Sequence, residues 1–242
     1  MRVLLVEDDP STQRFVSLVL EGLDIDLVLA RTVEQALAEL ARLPVALVVT
    51  DLMLSGRSGF DLIEALAADP ALRGNARLVV LSAGLDPRTR QRLDRPEVWR
   101  LLSKPCSVGD LEDCVRGIMP ANGPGRAASP DAQTPHPMAA AITEHFAGNA
   151  PLYDAFRSAC LEQFHADMSE GERADAALDA PAQRRLAHNL KSVLLTLGHA
   201  EAGALAAALE KACENADWAR AAPLWRRLRA SLEWLRSDAG YH

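Results

Sequence analysis

No apolar stretch in these 242 residues approaches the ~20 needed to span a bilayer. The N-terminal run Arg2-Val3-Leu4-Leu5-Val6 meets Glu7, Asp8 and Asp9 too soon for a signal peptide. These absences exclude a membrane span and point to a cytoplasmic protein. The four cysteines (Cys106, Cys114, Cys160, Cys213) show no CxxC spacing and no paired histidine ligands, so reduced thiols are expected. Basic excess is missing as well. The net charge is −7, with 14 basic against 18 acidic residues in 1–119 and 11 against 14 in 138–242. Nucleic-acid binding is therefore not expected. Arg226, Arg227 and Arg229 read as a solvated helix face. There is no Gly-rich nucleotide loop and no recognition helix, which leaves no place for a kinase or a DNA-binding output.

What is present is ordinary for a soluble globular chain, 49% apolar and 24% charged, and long enough for two domains. In the first half, apolar runs end abruptly in polar residues. Residues 2–7 predict a strand, and Asp9-Pro10 starts a helix with an N-cap and a first-turn proline. Residues 25–30 predict a second strand, followed by a helix capped by Thr32 and running to Leu43. A third strand, 45–50, ends on Asp51, and a Gly-containing loop leads to a helix over 59–68. Strands at 77–81 and 98–102 follow, each with a helix after it, near 86–94 and 107–118. Five strands alternating with five helices call for a doubly wound parallel sheet covered on both faces.

In such a sheet the ligand site lies beyond the carboxyl ends of the strands. Glu7 and Asp8 close the first strand, Asp51 the third, Ser82 the fourth and Lys104 the fifth. Carboxylates converging there need a cation, and hard oxygen ligands suit Mg²⁺. A lysine and a hydroxyl at the same rim suit a phosphoryl group in transfer.

Residues 1–119 resemble the receiver domain of bacterial two-component response regulators. The resemblance rests on Leu5-Val6-Glu7-Asp8-Asp9-Pro10, Thr50-Asp51-Leu52-Met53-Leu54, Leu81-Ser82-Ala83-Gly84 and Ser103-Lys104-Pro105. It implies a flavodoxin-like fold with Asp51 as phosphoacceptor. Asp8 would bind Mg²⁺ directly, Glu7 mainly through water, and the Met53 backbone carbonyl would be a further ligand. Ser82 would be the switch hydroxyl, Lys104 the ionic partner, and the Lys104-Pro105 bond cis. Two positions depart from the family pattern. Ser55 stands where proline is frequent, which predicts a looser loop, and Leu101 stands at the usual switch aromatic. Trp99, two residues earlier, is expected on the same strand side as Leu101.

Residues 120–137 are rich in Pro, Gly, Ala and Ser and predict a flexible linker. Residues 138–242 are helical by every local signal, with one apolar stripe per helix, which argues for an antiparallel bundle. On a helical wheel Leu190, Val193, Leu194 and Leu197 fall within roughly 80° of Leu186, while His188 lies about 200° round. That places His188 on the outer face, with Lys191 and Ser192 one turn away and Leu195 exposed below it. Ser192 and Leu195 form the expected docking patch.

His188-x-x-Lys191-x₆-Gly198, with Leu205 and Leu209-Glu210 downstream, resembles the histidine-containing phosphotransfer (HPt) domain. The resemblance implies a four-helix bundle, a phosphohistidine at His188 and Lys191 steadying its charge. Together the two resemblances imply a phosphorelay protein, a phosphoryl carrier whose partners are a sensor histidine kinase and a downstream response regulator. Phosphoryl flow would run from Asp51 to His188, within or between chains. The alternatives are an interaction module, with receiver phosphorylation gating the HPt surface, and a phosphatase-like sink with flow from His188 to Asp51.

Overall fold

The apolar runs at 2–6, 47–50 and 77–82 become strands because their side chains are buried on both faces of one sheet, and those at 26–30 and 98–103 form its half-exposed edges. The computed structural model describes residues 1–83, 86–118 and 137–238. The chain divides into two compact units, residues 1–133 and 134–242. The expected linker over 120–137 lies, Pro137 apart, outside the described residues.

In the first unit the order is β1 (Arg2–Val6), α1 (Pro10–Leu20), β2 (Asp26–Ala30), α2 (Val33–Arg42), β3 (Leu47–Thr50) and α3 (Gly59–Ala68). A short α4 (Pro70–Arg73) precedes β4 (Arg77–Ser82), α5 (Pro87–Leu93), β5 (Val98–Ser103) and α6 (Val108–Arg116). The five strands are parallel in the order β2-β1-β3-β4-β5. The order reverses between β1 and β3, which opens a crevice at their carboxyl ends. Leu4, Val6, Val48, Leu78 and Val80 pack with Leu62, Ile63 and Leu66 of α3 into one core. Their alternates Val3, Leu5, Val49 and Val79, equally buried, face the other side of the sheet. Side-chain caps fix the helix starts: Asp9 accepts from Thr12 N–H, and Ser58 and Asp61 form a capping box before α3.

The expected shared side for Trp99 and Leu101 is corrected by a bulge. Leu78 pairs with Val98, but Val79 pairs with Arg100, so Trp99 is the extra residue. Val98 and Leu101, three apart, both pack on the same core, which breaks the period-two alternation. Trp99 instead lies beside Gly117 and is flanked by the guanidinium groups of Arg77 and Arg100, each 4.6 Å from its ring centre.

The second unit is helical throughout its described residues: α7 (Pro137–Phe146), α8 (Ala150–Ala177), α9 (Ala180–Thr196), α10 (Ala200–Glu214) and α11 (Trp218–Asp238). Contacts join α8 to α9, α9 to α10, α10 to α11 and α11 back to α8, a closed ring of four, with α7 packing on α8 and α9. Phe146, Tyr153, Phe156 and Phe164 fill its core, and the Tyr153 hydroxyl donates to the Leu197 carbonyl at 3.1 Å. Prolines stand in the first turn of α8 and α9, two residues after their Asn149 and Asp179 caps. Among the described residues no helix is long and apolar enough to cross a membrane.

Candidate functional site

The carboxyl ends of β1, β3 and β5 bring three charged side chains into contact. Lys104 Nζ lies 2.5 Å from Glu7 Oε2 and 2.7 Å from Asp51 Oδ2, and all three side chains are buried. The other Asp51 oxygen, Oδ1, accepts the backbone N–H groups of Leu52 at 2.5 Å and Met53 at 3.1 Å. Asp51 is thus held from two sides, by a cation and by the turn that follows it. Lys104 N–H donates to the Ser82 carbonyl at 3.0 Å, which sets the buried Ser82 next to the cluster. The Lys104–Pro105 peptide is cis.

Burial pushes the Glu7 carboxyl up to about 8 against the pull of Lys104, with Asp51 and Asp9 adding to the rise. Burial alone would lower Lys104, but the charges of Asp51 and Glu7 outweigh it and hold the lysine above its ordinary range. Lys104 is therefore a fixed cation. Burial likewise raises Asp9, opposed by its hydrogen bonds from Thr12.

Asp8 points elsewhere than its neighbour Glu7. Its Oδ2 accepts both the N–H of Ser55 at 3.0 Å and the Ser55 hydroxyl at 2.5 Å, while Arg31 Nη2 donates to its carbonyl at 2.9 Å. The loop expected to be loose at Ser55 is fastened there, because serine supplies two donors where proline supplies none. Among the described residues no three His, Cys, Asp or Glu side chains are gathered as a metal site. The reason is visible in the contacts: Lys104 stands between Glu7 and Asp51, and Asp8 is drawn to Ser55. The donor chemistry still fits Mg²⁺, since the carboxyl groups of Glu7, Asp8 and Asp51 are hard oxygens that follow the carboxyl ends of β1 and β3.

A second cluster lies in the helical unit. His188 Nδ1 is 2.6 Å from Glu210 Oε1, and Lys191 Nζ is 2.5 Å from Glu210 Oε2. Glu210 is thereby bridged by two basic side chains. Burial would raise its carboxyl, but the hydrogen bonds and charges of His188 and Lys191 prevail and hold it at about 2.

The expected exposure of this region is corrected. His188 is only 2% exposed, Ser192 is buried, and Leu195 is half-buried. The physical reason is the α9–α10 hairpin, which turns at Gly198 with φ +84°. Leu195 lies against Gly203 and His188 against Glu210. Both pairs sum to 398, the signature of two antiparallel helices folded about one point. The face that the wheel leaves polar is therefore the seam with α10. Gly203 permits it: a Cβ there would stand 2.9 Å from Leu195 Cδ2. Ser192 and Leu195 accordingly do not form an open docking patch.

Two contact residues of these clusters, Ser55 and Glu210, were not evident as such in the sequence. Ser55 carried no signal for its bond to Asp8, 47 positions away. Glu210 carried one, since reflecting α10 about His199 sets it opposite His188.

The family model of the response regulator receiver domain matches residues 3–116. The DNA-binding response regulator MtrA of Mycolicibacterium smegmatis is 36% identical over 85 residues, which is 35% of this chain and 36% of that protein. The chain thus spans about a third of the length of such relatives. Among solved structures, a response regulator receiver protein from Pseudomonas putida is 29% identical with a TM-score of 0.45, covering 48% of this chain and 95% of that one. The chemotaxis response regulator CheY4 of Vibrio cholerae is 19% identical, also with a TM-score of 0.45, covering 49% and 98%. With the β2-β1-β3-β4-β5 sheet and the Glu7–Lys104–Asp51 cluster already in place, residues 3–116 are a response regulator receiver domain.

Proposed function

We propose that the chain is a phosphorelay intermediate, in which Asp51 accepts a phosphoryl group from a histidine kinase and His188 of an HPt-type second domain exchanges it with receivers. The observation that carries this reading is the fixing of His188 Nδ1 by Glu210, which leaves Nε2 as the nitrogen available for chemistry. Nε2 has no hydrogen-bond partner among the described residues.

The chemistry then follows from the residues. An Asp51 oxygen attacks the donor phosphorus and the donor's bond to phosphorus breaks, forming an acyl phosphate. In the second transfer the Nε2 lone pair of neutral His188 attacks that phosphorus and the Asp51 carboxylate leaves. Positive charge develops on the imidazole, and the ionised Glu210 stabilises it through Nδ1–H. Lys191 holds Glu210 in place by binding its other oxygen. At Asp51 the Lys104 ammonium is positioned to pair with phosphoryl oxygens. Asp8, Asp51 and the Met53 carbonyl would hold Mg²⁺, with Glu7 reaching it through water. The cation would supply further neutralisation of those oxygens.

The 2% exposure of His188 favours a gated form of this reading, in which Nε2 must be uncovered before it reacts. A labelled small-molecule phosphodonor, applied to the full chain, to Asp51→Ala and to His188→Gln, tests the order of transfer. Expected is base-labile label on Asp51, acid-labile label on His188, and loss of the second in Asp51→Ala. If label never passes from Asp51 to His188, within or between chains, the relay is wrong. Phosphohistidine that accumulates only when Asp51 is removed would indicate a sink instead.

A further inference from the structure

Ser55 touches Asp8 twice, and both contacts end on the same oxygen. Its N–H at 3.0 Å and its hydroxyl at 2.5 Å both donate to Oδ2. A carboxylate oxygen accepts along about two lone-pair directions, so one residue fills both. The loop that aims these donors is itself held. Leu52 and Leu54 are buried, the N–H groups of Leu52 and Met53 bind Asp51, and Ser58 with Asp61 caps α3. Ser55 is therefore fixed, and Asp8 is oriented by it.

The two common divalent cations use a carboxylate differently. Mg²⁺ demands near-octahedral geometry at about 2.0–2.1 Å and keeps much of its water. Ca²⁺ takes about six to eight oxygens at roughly 2.3–2.6 Å and readily binds both oxygens of one carboxylate. A two-oxygen grip on Asp8 requires stripping the Ser55 hydroxyl from Oδ2, whereas a one-oxygen grip leaves it in place. We propose that Ser55 is a specificity-determining residue that keeps Asp8 a one-oxygen ligand and so favours Mg²⁺ over Ca²⁺. This rests on the reading of Asp8 as a divalent-cation ligand.

The test is titration calorimetry of the full chain with Mg²⁺ alone and with Ca²⁺ alone. Ser55→Ala keeps the N–H and loses the hydroxyl, Ser55→Pro loses both donors, and Ser55→Thr keeps both. The Ca²⁺-to-Mg²⁺ affinity ratio is expected to rise roughly tenfold in Ser55→Ala, the worth of one charge-assisted hydrogen bond. It should rise further in Ser55→Pro and stay at the wild-type value in Ser55→Thr. Asp8→Asn separates the two layers of the argument. Should the wild type bind neither cation, or Asp8→Asn bind both as well as wild type, the ligand role of Asp8 falls and the role of Ser55 with it. If Asp8→Asn loses binding while Ser55→Ala and Ser55→Pro keep the ratio, only the role of Ser55 is overturned. Equal weakening of both cations at an unchanged ratio counts against it in the same way.

Discussion

Replacing Glu210 by glutamine keeps the shape of the side chain but removes the charge that His188 and Lys191 bridge. In the native chain that carboxyl lies at about 2 against an ordinary 4.5, in a side chain only 16% exposed. At roughly 1.4 kcal/mol per pH unit, folding gains about 3 kcal/mol from keeping Glu210 ionised. The folded value lies below the unfolded one, so this contribution is complete above about pH 4.5 and is lost as the pH falls through about 2. Tryptophan emission reports on the right half of the molecule. Trp218, Trp225 and Trp234 lie in the second unit, with Trp225 buried, while only Trp99 lies in the first. In urea at pH 7, Glu210→Gln should unfold that unit about 1.5 M earlier, taking a denaturant slope near 2 kcal/mol/M. Repeated at falling pH, the gap between the two proteins should close between about 4.5 and 2, the other carboxylates cancelling in the difference. A gap that is independent of pH, or coincident unfolding at pH 7, would refute the assignment of Glu210 as an ionised bridge.

Lys104→Met should destabilise the first unit by about 3–5 kcal/mol at pH 7, because it strands Asp51 as a buried carboxylate with no counter-charge, the Glu7 carboxyl at about 8 being mostly protonated at that pH. Unfolding followed by circular dichroism checks this, and a loss below about 1 kcal/mol would mean that the cluster relaxes into solvent. Diethyl pyrocarbonate should modify His188 more slowly than the exposed His165, since Nε2 is shielded. Equal rates at the two histidines would show that Nε2 is open in solution.

The sheet was legible because its signal is local and redundant. Val45 to Thr50 is apolar throughout, as a strand covered on both faces must be, and each polar residue that ends such a run marks the same rim. Lys104, Glu7 and Asp51 could therefore be placed together from the order of elements alone. Trp99 could not, because the bulge adds one residue to β5 without altering its apolar pattern. The surroundings of His188 were misread for a related reason. A wheel says which face of α9 is apolar, not which faces acquire a neighbour, and α10 meets α9 with Gly203 and Ala206 rather than with large apolar side chains. Ser55 looked like a missing proline. Its two donors matter only once Asp8 is seen to lie within reach.

The α9–α10 seam also has a mechanical consequence. Gly203, opposite Leu195, and the fully buried Ala206 lie on α10 two turns and one turn before Glu210. Their lack of bulk sets how near the two helix axes come, and hence whether a glutamate is long enough to touch His188 and Lys191 together. A larger apolar residue at either position would act as a wedge under a lever. It would lift Glu210 from the imidazole without changing a single polar group, and the reactivity of His188 would fall through a substitution one or two helical turns from the histidine's partner.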